Sequence, residues 1–334
     1  MSAVATRLLE AWYGALPPPW WTRALEPLYR AVSGARRSAY RRGWLRSGHP
    51  GCPVIVVGNI TVGGAGKTPL VTHIVQLLAA QGRAPAIVSR GYGGAEPRRP
   101  HRVSSADAPA FSGDEPLLLA AVTGCPVWIC RDRLAAARAA AAAGADVIVA
   151  DDGLQHYRLR RDVEIVVVDG RRGLGNGRCL PAGPLREPPA RLAAADLMVC
   201  NGHGACPPGA LAMRLAGDAA VRLDGAGRRP LADFAPGPVH AIAGIGDPER
   251  FFVMLEGQGL QLIRHPLADH APVPPALLTP ADGLPVLMTS KDAVRCRREA
   301  GAATCWEVPV TADLGEDAAR LHEALAHRLR MVEA

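Results

Sequence analysis

Short apolar runs recur along this chain, each closed by a glycine or a carboxylate and followed by a longer mixed stretch. The run PVIVVGN (Pro53–Asn59) is rich in β-branched residues and ends in a turn signal, which predicts a buried strand. Residues 68–80 carry a helical pattern ending near Gly82, with Pro69 in the first turn, where a missing amide costs nothing. AIVSRGYGG predicts a second strand and a glycine loop. GDEPLLLAA opens another helix, and Asp114 and Glu115 in its first turn favour the helix dipole. PVWIC is a strand, residues 132–143 form an alanine-rich helix stopped by Gly144, and DVIVADDG, VEIVVVDG and DLMVCNG are three more strands.

Strands alternating with helices predict an α/β fold with a doubly wound, mostly parallel sheet. In such sheets ligands bind at the carboxyl ends of strands. The chain's chemistry sits there: Gly58 onward, Ser89–Arg90, Asp151–Asp152 and Asp169. The main domain is expected over 51–205. The Gly-, Ala- and Pro-rich stretch 202–236 reads as a junction, bounded at 206–236. A second, smaller α/β domain over 237–312 contains VHAIAGIG and VLMTSKD, and a helix over 313–334 is expected to pack back on the main domain.

The 334 residues are 49% hydrophobic, enough for two ordinary domains and against disorder. No stretch is long and apolar enough to span a bilayer, and no secretory signal is expected. Eight scattered cysteines without a CxxC pair argue against structural zinc and for reduced thiols.

Charge changes the picture at the N-terminus. Residues 1–50 hold eight arginines against two glutamates, which places +6 of the net +7 there. They also hold four of the six tryptophans and three of the five tyrosines. A basic, aromatic segment suits an anionic membrane surface, where indole and phenol rings favour the headgroup boundary. An amphipathic helix packed on its own domain and a nucleic-acid arm are the other readings; membrane docking is preferred and no nucleic-acid partner is expected.

Only two lysines, Lys67 and Lys291, stand beside thirty-six arginines. A lysine kept against such a bias points to a task that a planar guanidinium cannot perform. Lys67 closes VGNITVGGAGKTPL (Val57–Leu70), a strand-to-helix turn that aims backbone amides at one spot. Gly63, Gly64 and Gly66 let the backbone curl around an anion, Lys67 would meet the terminal phosphates, and Thr68 would bind magnesium. Thr61 stands where the first glycine of the usual pattern belongs, and Gly63 and Gly64 supply the flexibility instead. These features predict a P-loop NTPase-type domain. Asp151 and Asp152 at a strand end are candidate magnesium carboxylates, and Asp169 is a weaker one. An Asn-Lys-x-Asp guanine reader is missing, so ATP is favoured over GTP.

The segments VGNITVGGAGKTP, SRGYGG, SGDEP, ADDGLQH, LPAGPLREP, AIAGIGDPERFF, ADH and MTSKDAVRC occur in this order. Together they resemble tetraacyldisaccharide 4'-kinase, the lipid A 4'-kinase of Gram-negative bacteria, over nearly the whole chain. The resemblance implies transfer of the ATP γ-phosphate to the 4'-hydroxyl of a tetraacylated glucosamine disaccharide 1-phosphate, with Mg2+, by a monomer at the cytoplasmic face of the inner membrane. It implies that Thr61, Gly63, Gly64, Ala65, Gly66, Lys67 and Thr68 bind the nucleotide and magnesium. Asp114 is then the carboxylate drawing the acceptor proton, with His270 its partner from the second domain. Asp151, Asp152 and Glu187 are implied on the metal side and Arg133 at a phosphate; Gln155 and His156 read either as polar core or as substrate contacts, and Lys291 is a further substrate-side candidate. Tyr92 either stacks on a base or lines the loop. A membrane-associated P-loop ATPase with a regulatory role is the competing reading; its second lysine before the glycines is replaced by Thr61 and Val62.

Overall fold

Why the apolar runs become strands is visible at β1 (Val54–Gly58) of the computed structural model, which describes residues 3–297, 299 and 304–333. Successive side chains of a strand point to opposite faces. Ile55 and Val57 therefore enter one core, Val54 and Val56 the other, and all four are fully buried. A strand buried on both faces has to be covered by helices on both.

β1 lies inside a nine-stranded sheet. Its other members are β2 (Pro85–Ser89), β3 (His101–Arg102), β4 (Val127–Ile129), β5 (Val147–Asp151), β6 (Val163–Asp169), β7 (Leu197–Asn201), β8 (Leu211–Ala216) and the late strand β15 (Thr311–Asp313). Their order is β15-β8-β7-β6-β1-β5-β2-β4-β3. Only the outer strands β3 and β15 run antiparallel to their neighbours. A six-stranded sheet follows, built from β9 (Ala219–Arg222), β10 (Arg228–Pro230), β11 (Pro238–Ala243), β12 (Gln261–Pro266), β13 (Val286–Thr289) and β14 (Cys305–Val308) in the order β10-β9-β14-β13-β11-β12.

The helices are α1 (Ala3–Tyr13), α2 (Trp20–Arg41), α3 (Lys67–Ala80), α4 (Pro109–Ser112), α5 (Asp114–Thr123), α6 (Arg133–Ala142), α7 (Pro248–Gly257), α8 (Pro275–Leu278), α9 (Ser290–Cys296) and α10 (Asp317–Glu333). α3 and α10 cover one face of the nine-stranded sheet, and α6 covers the other. Leu321, Leu325 and Leu329 recur every four residues on α10 and join the same core as Ile55 and Val57.

The stretch read as a junction carries three strands: β8 extends the first sheet, and β9 and β10 build the second. In β8 only Leu211 and Met213 are buried, between exposed Ala212 and Arg214, so the strand signal is weak against its glycine and proline background. The expectation of reduced thiols is corrected at one place. Cys200 and Cys206, six residues apart, form a disulfide, and the other six cysteines take part in none.

The basic arm packs on its own unit, as the alternative reading expected, and keeps an apolar stripe outside. Glu26 of α2 is buried and accepts hydrogen bonds from the Cys179 amide (2.9 Å) and Arg178 (2.9 Å). Tyr29 donates to the Arg186 carbonyl at 2.9 Å. Trp21, Leu25, Leu28 and Val32, spaced four, three and four residues apart, remain exposed. No helix among the described residues is long and apolar enough to cross a membrane.

Candidate active site

β1 delivers the chain into the glycine turn, and α3 begins at Lys67. Gly66 caps that helix at φ 87°, in the left-handed region where a side chain is strained. A Cβ there would also lie 2.2 Å from Nδ2 of Asn201, which donates to the Ala65 carbonyl at 3.0 Å. Asn59, fully buried at the end of β1, ties the turn together. Its Nδ2 donates to Thr61 Oγ1 and to the Gly63 carbonyl, both at 3.2 Å, and its Oδ1 accepts from Lys67 Nζ at 3.2 Å. Lys67 is thereby aimed toward Asp152, 3.5 Å away. The side chains of Thr61 and Ala65 are buried in the fold, so those two cradle residues contribute backbone only.

Two carboxylates stand opposite the cradle at the end of β5. Asp152 sits at φ 49°, a strained position for a non-glycine residue. Arg186 binds it at 2.9 and 3.1 Å. Despite burial, Lys67 and Arg186 hold its carboxyl well below the usual carboxylate range. Asp151 is buried and its Oδ1 has no hydrogen-bond partner. Burial, reinforced by Glu115 and only partly opposed by Lys67, pushes its pKa up to about 7. A buried carboxylate oxygen without a donor is a place for a cation. Thr68, Asp151 and Asp152 line the same cavity. Among the described residues no three His, Cys, Asp or Glu side chains form a metal cage. Magnesium asks for none, since it commonly takes one or two carboxylates and completes its shell with phosphates and water. These residues fit the ion.

Behind the cavity-lining His270, Asp114 starts α5 and is buried. Its Oδ2 accepts from His270 Nδ1 at 3.0 Å and from Arg295 Nε at 2.7 Å, so Oδ1 is the oxygen left for an acceptor. His270 lies in the loop after β12 at φ 62°, another strained non-glycine position. The Tyr92 ring meets it edge-on at 5.4 Å, in the loop that follows β2. Gly93 lets that loop close in, since a Cβ there would lie 3.1 Å from His270 Nδ1. His270 and Lys291 of the six-stranded unit and Lys67, Asp151 and Glu115 of the nine-stranded unit line one cavity of about 1470 Å3.

The model of the tetraacyldisaccharide-1-P 4'-kinase family, LpxK, matches residues 19–330. The chain belongs to this 4'-kinase family. A tetraacyldisaccharide 4'-kinase from Alkalilimnicola ehrlichii is 52% identical over 316 residues, covering 91% of this chain and 92% of that protein. One from Stenotrophomonas maltophilia is 48% identical, covering 94% and 95%. The crystal structure of LpxK from Aquifex aeolicus in complex with ATP aligns at TM-score 0.76 and 26% identity, over 92% of this chain and 98% of that one. The P-loop type of α/β fold expected from the sequence is therefore the fold of this 4'-kinase family member.

Two carboxylates expected near the metal are occupied by protein. Asp169 accepts from the Arg171 and Arg172 amides and pairs with Arg250 at 2.7 Å, which holds a turn and joins the two units. Glu187 accepts from Gln155 (2.9 Å) and Tyr157 (2.5 Å), and Arg37 and Arg191 each lie 3.4 Å away. Four donors surround Glu187, which ties α2 to the cavity floor and still lines the cavity. Gln155 shares that role, donating to both Glu187 and the Asn59 carbonyl. Arg133 is buried with Nε unpartnered, and burial lowers its pKa, while Asp152 and Asp151 oppose the shift. Burial and Arg133 push His156 down to about 4, so it is neutral at physiological pH. Arg186, Arg295, Asn59 and Asn201 were not singled out from the sequence. Arg295 was within reach: it lies four residues after Lys291, on the same helical face.

Proposed function

We propose that this chain phosphorylates the 4'-hydroxyl of a tetraacylated disaccharide 1-phosphate from ATP, with Asp114 and His270 handling the acceptor proton. The observation that carries the reading is one cavity shared by the Lys67 cradle, the Asp151–Asp152 pair and His270 backed by Asp114. A loose phosphoryl-transfer transition state asks for positioning and charge neutralisation more than for a strong nucleophile.

The roles divide by place. Amides of residues 63–68 cradle the triphosphate, and Lys67, held by Asn59, meets its terminal phosphates. Thr68, Asp151 and Asp152 hold Mg2+, which when bound neutralises developing charge on the phosphoryl oxygens. Arg133, unpartnered at Nε, faces the cavity as a further cation for an anionic group. Asp114 accepts the hydroxyl proton at Oδ1, while His270 and Arg295 occupy Oδ2 and fix the carboxylate plane.

The acceptor's acyl chains lie in a bilayer, so the site has to work at its surface. The exposed stripe of α2, flanked by arginines, supports docking on an anionic cytoplasmic-face membrane. The chain works there as a monomer. Incubation with labelled ATP, magnesium and detergent-dispersed disaccharide tests the reading. Label is expected in the lipid, and it is expected to vanish with Asp114→Asn. ATP turnover that never labels lipid would reject the reading and favour a regulatory ATPase.

A further inference from the structure

Lys291 is one of two lysines, and the phosphate cradle accounts for the other. It stands in the first turn of α9, with its side chain 12% exposed. Its Nζ lies 3.2 Å from Glu115 Oε1, 3.0 Å from Asp269 Oδ1 and 3.3 Å from His270 Nε2. Three neighbours match the three hydrogens of an ammonium. Burial alone would pull the proton off, but Glu115 and Asp269 outweigh it and hold the Lys291 pKa above the ordinary lysine value.

An ammonium carries no lone pair, so it can only donate. The imidazole nitrogen facing it has to accept. In a neutral ring the proton then sits on the other nitrogen, Nδ1. Nδ1 is the atom 3.0 Å from Asp114 Oδ2, and an ionised carboxylate accepts. The two contacts demand the same tautomer.

We propose that Lys291 is a positioning residue for the phosphoryl transfer: its ammonium donates to Nε2 of His270, fixes the Nδ1–H tautomer and so locks His270 onto Asp114. The proposal rests on the reading of Asp114 and His270 as the catalytic pair. The rival arrangement sends an Nε2–H to Asp269. That oxygen lies 3.7 Å from Nε2, beyond hydrogen-bond reach, and already accepts from Lys291. The rival would also set a bare Nδ1 lone pair against a carboxylate oxygen. A lysine suits the place better than an arginine because three acceptors gather around a single nitrogen, which an ammonium can serve with one hydrogen each.

Long-range 15N–1H spectra of the imidazoles, with His270→Gln identifying the signal, report the tautomer directly. Wild type is expected to show His270 protonated on Nδ1. Lys291→Met is expected to convert the ring to Nε2–H or to a mixture, and to lower kcat at least about tenfold. The KM for ATP is expected to stay within about twofold, since Lys291 does not touch the cradle. Lys291→Arg keeps a donor and is expected to retain the Nδ1–H signal. An Nε2–H or doubly protonated His270 in wild type, or an unmoved signal and kcat in Lys291→Met, overturns the proposal. If Lys291→Met does not fold, Lys291→Gln decides, because its amide still donates: retained Nδ1–H supports the proposal and lost Nδ1–H overturns it. Full kcat in His270→Ala would instead sink the catalytic-pair reading while leaving the tautomer spectrum to stand or fall by itself.

Discussion

Membrane docking through α2 makes a quantitative prediction. Trp20, Leu28 and Val32 are 80%, 62% and 62% exposed, so replacing all three by serine removes apolar surface without opening the core. Full burial of a Leu- or Val-sized side chain yields roughly 1.5–3 kcal/mol. Scaled by exposure, Leu28 and Val32 offer about 1–2 kcal/mol each, and the larger Trp20 at least about 2. An interfacial helix immerses only part of this surface, so about half, roughly 2–3 kcal/mol, is expected to appear in partitioning. That corresponds to a loss of about 30- to 140-fold. Co-sedimentation with phosphatidylglycerol vesicles measures it, and melting of the variant checks its fold. Arginine contributes a separate, salt-sensitive part of roughly 1 kcal/mol per residue near the surface. Replacing Arg23, Arg30 and Arg41 by glutamate is therefore expected to weaken binding most at low salt. A triple-serine variant that still partitions within about twofold of wild type would refute the reasoning, because area this exposed cannot be removed from an interface unnoticed.

Three further outcomes are expected. Asp114→Asn lowers kcat by roughly 10²- to 10⁴-fold with the KM for ATP nearly unchanged, read by steady-state lipid phosphorylation. Gly66→Ala forces a side chain into a left-handed position and onto Asn201, which costs about 1–3 kcal/mol of strain; calorimetric ATP affinity is expected to fall at least about tenfold, the equivalent of the lower half of that range. His73 and His322 join α3 to α10 with Nε2 atoms 3.1 Å apart, and burial followed by His322 lowers the His73 pKa from its ordinary 6.5. The folded state then holds its proton less tightly than the unfolded one, so stability is present above 6.5 and lost as the pH falls through that value. His73→Phe, which removes the titrating imidazole, is expected to flatten the decline of Tm with acidification; an equally steep decline in the variant would place its origin elsewhere.

How much of this was written in the sequence depends on what kind of signal each part leaves. The strands of the main sheet are continuous apolar runs because they are buried on both faces, and period and composition then agree. β8 is half-exposed and β15 is only three residues long, so neither leaves a run. The return of β15 to the first sheet depends on pairing with β8 some hundred positions earlier (Thr311 with Ala216), which no local pattern encodes. The cradle was legible because its chemistry is contiguous. The metal-side carboxylates were legible as types and not as roles: Asp151, Asp152, Asp169 and Glu187 look alike in sequence. Their environments separate them, an unpartnered oxygen at Asp151 against four donors around Glu187. Arg295 shows the same limit, since what matters is its reach across 181 positions to Asp114.

The division of the site between two units follows from what joins them. Among the described residues each hydrophobic core belongs to one sheet with its helices, and none spans both. What crosses is mostly ionic: Arg171 and Arg172 to Asp247, Arg250 to Asp169, Lys291 to Glu115 and Arg295 to Asp114, with the Tyr92–His270 ring contact and the Arg172 bond to the Gly246 carbonyl beside them. Pairs with an exposed partner, such as Arg171–Asp247, contribute roughly 0–1 kcal/mol each, whereas Arg295–Asp114 is buried on both sides and costs more to break. The junction is therefore a charged seam in place of a shared apolar core. Closure matters chemically because Asp114 is completed only by groups from the other unit, His270 and Arg295. With the units apart, the carboxylate lacks both partners and water is the nearest acceptor. With them together, the proton acceptor is oriented and the cavity walls stand between solvent and the phosphates. On the proposed roles of Asp114 and His270, selection for the sugar hydroxyl over water follows from this seam, because it brings His270 and Arg295 onto Asp114.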